Sequence, residues 1–138
     1  MLSYHADADI NTNPFELGMD RLVNLDNDNK FIGKDALIRI KDKGIKRKQV
    51  GMIVDCDPLG GPNTTFWPIL KNDINIGMVT SAVYSPRLKE NIALGIVNID
   101  YTEINTLVEI DMLNNLNKAK VVEKPFYDPN KKITSSKL

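Results

Sequence analysis

The chain has 138 residues, 42% of them apolar and 26% charged, enough for one globular domain with a core and too apolar for global disorder. Its 18 basic and 18 acidic side chains balance, so no net field draws it to nucleic acid or to an anionic membrane. One cysteine, Cys56, excludes an internal disulfide and fits a reducing compartment, and with a single histidine the usual zinc and haem ligand sets are absent. No apolar run approaches the ~20 residues of a membrane span, and residues 1–10 lack the basic-then-apolar pattern of a signal peptide. The expected compartment is the cytoplasm.

Residues 1–14 are polar and read as loop. From Phe15 to Leu25 the apolar residues Phe15, Leu17, Met19, Val23 and Leu25 fall at odd positions, a period of two that predicts a strand with Gly18 as a bulge. Asp26–Lys30 is a turn. A helix follows from about Gly33, with Asp35 in its first turn, Lys41 and Lys43 in its last, Gly44 at the C-terminal cap, and Ala36, Leu37 and Ile40 as its buried stripe.

The remainder reads as β. Val50–Asp55 is a strand, the Gly- and Pro-rich segment 57–63 is a turn, and Phe66–Leu70 and Ile74–Ser81 flank a hairpin turn. Residues 79–97 hold two strand-like runs joined by a connection that Pro86 stiffens. In the second run Ile92, Leu94 and Ile96 face one way and Ala93, Gly95 and Val97 the other, as in a strand covered on both sides. Thr106–Leu113 and Leu116–Lys124 flank Asn114-Asn115, a second hairpin. Short strands with regular turn signals predict a mainly β fold with one short helix (α+β): a closed, Greek-key-like barrel preceded by a strand–helix segment, with residues 131–138 as a flexible tail.

Several features invite chemical readings. Asp7, Asp9 and Asn11 take the first three ligand positions of a calcium loop, but Thr12 and Gly18 stand where that loop needs Gly and Glu, so no metal site is expected. The basic run 41–48 is broken by Asp42 and has no stacking aromatics, which leaves it a solvated helix end. Cys56 and His5 have no partners near in sequence for nucleophilic catalysis. Tyr84, Ser85, Arg87 and Asn91 lie on or beside the stiff connection. There Arg87 either grips a carboxylate with both arms or, with Asn91, ties down the turn.

Four segments resemble the C-terminal region of the glycine cleavage T-protein (aminomethyltransferase) superfamily. LSYHADADINTNPFELGMDRLVNLD is similar to the family stretch where an L-Y-G-N-D-like element precedes a Pro and a Glu. FIGKDAL resembles F-[IL]-G-[KR]-E-A-L, with Asp35 for the usual Glu. TSAVYSPRLKENIALGIV resembles T-S-G-x-x-S-P-x-L-x-x-N-I-A, with Ala82 for Gly, and KPFYDP resembles the K-x-P-F terminus.

The resemblance implies a tetrahydrofolate-dependent aminomethyl- or methyltransferase that moves a one-carbon unit from an N- or S-linked donor to folate. The wording of the first segment is similar to the branch near the dimethylsulfoniopropionate demethylases. By position it makes Tyr4, Asp7, Glu16, Tyr84, Arg87 and Tyr127 candidate cofactor-binding residues, with no catalytic residue in the chain. Residues 1–45 become the end of the folate-binding region and 46–130 the barrel domain. The implied partners are a missing N-terminal folate-binding domain and a small-molecule or lipoyl-protein donor, without nucleic acid or membrane. On that reading the chain is incomplete on its own. A non-catalytic β-barrel binding module is the alternative.

Overall fold

The computed structural model describes residues 2–130 and 132–135. Six strands, β1 (Arg47–Asp55), β2 (Trp67–Lys71), β3 (Ile74–Ser85), β4 (Glu90–Asn98), β5 (Leu107–Asp111) and β6 (Leu116–Val122), close into a barrel. Around the wall they run β1-β4-β3-β2-β5-β6, and β6 pairs back onto β1, all antiparallel. The placing of β1 beside β4, across the meander β2-β3-β4, is the Greek-key signature. Closure leaves no open edge in the wall.

Alternation builds the core. Val50, Met52 and Val54 of β1, Ala93 and Val97 of β4, Val108 and Ile110 of β5, and Ala119 and Val121 of β6 fill the interior. Small residues let the walls approach: a Cβ at Gly77 would sit 2.1 Å from the backbone oxygen of Ile96. In β4 the two expected faces hold, with Ile92, Leu94 and Ile96 half-buried outside and Ala93, Gly95 and Val97 buried inside. The β2–β3 hairpin turns through Asn72 and Asp73, both at positive φ. The β5–β6 turn centres one residue earlier than expected, on Leu113-Asn114, because the Asp111 carboxylate accepts the Asn114 amide at 2.8 Å.

The barrel is preceded by an arm. The expected helix is present as α1 (Lys34–Lys43), capped by Gly33 and Gly44, both at positive φ. The expected strand over residues 15–25 is not. The side-chain oxygen of Asn13 accepts the amides of Phe15 and Glu16, and a Glu16 carboxylate oxygen accepts the Asn13 amide in return. That reciprocal cap starts a helical turn, which ends at Gly18 with φ 68 and a bond from the Met19 amide to Pro14 O. A short 3-10 turn, Asp20–Leu22, follows. The apolar period of two is overruled by an Asn-Pro start, a Glu three residues on and a Gly stop. The buried stripe expected on α1 is also absent: none of the helix is buried. At the far end, Lys132–Ser135 form a single helical turn, α2, where a flexible tail was expected; Lys131 and residues 136–138 of that tail lie outside the described residues.

Candidate functional site

Strand β3 carries the irregularity on which the site depends. Its register with β4 shifts between Val79 and Ser81, so Thr80 is the extra residue; it follows the buried Val79 and lies on the outer face with Met78. There its hydroxyl donates to a carboxylate oxygen of Asp7 at 2.6 Å. The other Asp7 oxygen accepts the Ser3 amide at 2.9 Å, and Asp7 is 1% exposed. A buried carboxylate with both oxygens bonded is a latch: it holds the loop 3–8 against the barrel wall.

Gln49 on β1 joins this latch to the other end of the chain. Its amide nitrogen donates to the Asp7 carbonyl at 3.4 Å, and its side-chain oxygen accepts from the Lys124 ammonium at 2.8 Å. Burial and the neighbouring Lys48 charge lower the Lys124 pKa, against a smaller opposing pull from Asp7. Phe126 and the Lys124 stem lie over Gly51, where a Cβ would come within 2.9 Å of the stem. Glu16 anchors the arm a second time: its carboxylate meets the Arg47 guanidinium at 2.9 Å, and Arg47 also donates to Asn11 O at 3.0 Å.

The other candidates lie apart. The Arg87 guanidinium stacks over the Tyr127 ring, 4.6 Å from its centroid, on a turn closed by the Lys89 amide to Ser85 O at 2.7 Å. Tyr84 is half-buried beside it on β3, opposite Asn91. Asn91 does tie down a connection, though a different one: it donates to Cys56 O at 2.8 Å and accepts the Leu59 amide at 2.9 Å. Tyr4 is exposed and packs its ring on His5. Among the described residues, no hydrogen bond, ion pair or ring contact links the Asp7 and Glu16 group to the Arg87 and Tyr127 group.

A groove of about 530 Å³ lies against β3 and β4, and none of the six candidate residues lines it. Ala6, Pro62, Val83, Ile92, Leu94 and Phe126 give it apolar walls, and Asn63 and Thr80 supply polar edges. Sequence reasoning missed Gln49, Thr80 and Lys124. Gln49 lies just outside the expected strand Val50–Asp55, Thr80 sits inside one where a polar residue signals nothing, and Lys124 was read only as a strand end and part of a terminal motif. Burial pushes the Cys56 thiol pKa up, helped by Asp57 and Asp55, which keeps it protonated and unreactive. Among the described residues no His, Cys, Asp and Glu cluster can hold a metal, and no helix is long and apolar enough to cross a membrane.

Comparison with known proteins places this architecture. Residues 47–128 match the family model of the glycine cleavage T-protein C-terminal barrel domain. An aminomethyltransferase of Listeria monocytogenes is 41% identical over 114 residues, 83% of this chain and 31% of that protein. One of Prochlorococcus marinus is 35% identical over 125 residues, 90% of this chain and 32% of that protein. The chain therefore spans about a third of the length of the relatives it matches. The crystal structure of glycine cleavage system aminomethyltransferase T from Bartonella henselae superposes with a TM-score of 0.81 over 91% of this chain and 35% of that one, at 22% identity, and shares its fold. With the barrel, the matched strands and these relatives in agreement, the chain belongs to the glycine cleavage T-protein family, as its C-terminal barrel domain.

Proposed function

We propose that this chain is the barrel-bearing part of a tetrahydrofolate-dependent aminomethyl- or methyltransferase, which moves a one-carbon unit from an N- or S-linked donor to folate in the cytoplasm. Membership of the family carries the reading. Residues 1–45 belong on this view to the folate-binding region, whose larger N-terminal part is the main partner. Tetrahydrofolate, when bound, supplies the nitrogen that accepts the one-carbon unit. The groove beside Phe126 fits part of such a ligand: apolar walls suit one face of a flat ring. Tyr4, Tyr84, Arg87 and Tyr127 contribute from its surroundings, while Asp7 and Glu16, already bonded and buried, hold the loop that shapes it.

The second reading, a non-catalytic binding barrel, draws on the same observation, since both candidate carboxylates are committed to internal bonds. Calorimetry on the chain with tetrahydrofolate, and turnover after fusion to the remainder of the Listeria monocytogenes aminomethyltransferase, separate the two. The enzyme reading expects weak or absent binding alone and turnover when fused. Binding by the chain alone on the order of micromolar, or about −8 kcal/mol, sinks the claim that the chain is incomplete on its own. A folded fusion without turnover sinks the enzyme reading.

A further inference from the structure

Helix α1 carries apolar residues that its own chain does not cover. Ala36, Leu37 and Ile40 lie along one side, yet no residue of the helix is buried. Just before it, Ile32 is fully exposed and Phe31 is 43% exposed. Between α1 and the capped turn at Asn13 runs a groove of about 680 Å³, whose apolar floor is Ala36, Ile40 and Ile45. Its rim is basic: Arg39, Lys43 and Lys46 stand along it and make no ion pair among the described residues, while Arg47 is already paired with Glu16.

We propose that this groove seats the part of the aminomethyltransferase fold that the relatives carry beyond the aligned third, through an apolar segment edged with carboxylates. The proposal rests on the family reading above. Three observations fix the occupant. The matched relatives extend far past this chain, which covers only 31% of the Listeria protein. The barrel is closed and offers no strand edge, so docking by strand addition is unavailable and a side-chain surface has to serve. The charge on the rim selects an acidic partner. A second copy in a two-fold arrangement would set the same cations against themselves.

The test compares the 138-residue chain alone with a chimera in which it replaces the aligned third of the Listeria monocytogenes aminomethyltransferase. Hydrogen exchange is followed at the α1 amides from Leu37 to Gly44. In the chimera they are expected to slow at least ~10-fold relative to the chain alone. Ala36→Glu and Lys43→Glu should each remove most of that protection and lower the Tm of the chimera, while leaving the Tm of the chain alone unchanged. Equal exchange in both proteins, or a chimera that does not fold, overturns the proposal. So does concentration-dependent protection of α1 in the chain alone, with dimers in sedimentation, which would make a second copy the occupant. Turnover is read separately. Protected α1 without turnover keeps the seat and removes the enzyme reading, whereas turnover with unprotected α1 does the reverse.

Discussion

The barrel and the arm of this chain are held by different forces. From residue 47 onward, side chains at every second position enter a shared interior, and Met52, Ile69, Val79 and Ile110 are fully buried there. Before residue 47, among the described residues, Asp7 and Glu16 are buried and no apolar side chain is, and the contacts that fix the arm are polar. Apolar burial scales with area and tolerates small shifts of geometry, while a buried carboxylate depends on each of its bonds. The barrel is therefore a cooperative unit, and the arm is attached to it at a few discrete points.

This contrast can be broken at graded cost. Ile110→Ala opens a cavity in the fully buried interior and should destabilise the barrel by about 3 kcal/mol, read from the urea midpoint at unchanged slope. Thr80→Val leaves an oxygen of buried Asp7 without its donor, at a cost of about 1–2 kcal/mol. Limited proteolysis should then cut first near residues 3–12, and cleavage that begins in the strands would refute the discrete-attachment picture. Arg47→Met removes the second anchor. Because that side chain is 43% exposed, the expected loss is below ~1 kcal/mol, with faster exchange confined to the Asn13–Met19 turn.

The alkaline limb sharpens the same comparison. Lys124 binds a proton less readily in the folded chain than in the unfolded one, so between its lowered value and the ordinary 10.5 the unfolded state holds more protons. Across that window the Lys124 contribution should rise with pH. Cys56 opposes it above 9.0, where the unfolded thiol ionises first and stability falls. Lys124→Met should make the pH profile fall more steeply than that of the parent chain, as followed by thermal melts from pH 8 to 10.5. The smallest effect belongs to Ile38→Glu on α1, expected to change the stability of the chain alone by less than about 0.5 kcal/mol.

Much of this was legible in the sequence where a single local rule governs. The strand pattern of residues 92–97, the glycines around α1 and the two hairpins follow from period, cap and turn chemistry. The barrel strands extend beyond their apolar runs for a physical reason. Arg47, Lys48 and Gln49 join β1 because they pair with Asn98, Val97 and Ile96 of β4, which no local pattern encodes. The turn at Asn13 was readable, since Asn-Pro-x-Glu with a following Gly is a capped helical turn, and the competing alternation obscured it. The site was less legible. Asp7 acquires its role only through Thr80, a contact between residues 73 positions apart that no local pattern encodes.

The Gln49 junction has a consequence for how the molecule can be made. Asp7 waits for Thr80, 73 residues later, and Gln49 waits for Lys124, 75 residues later. The barrel cannot close until β6 has been added to β1. During synthesis residues 3–8 therefore emerge well before the strands that hold them exist. The order of synthesis and the order of locking run opposite to each other, because Thr80 and Lys124 secure residues that emerge before them.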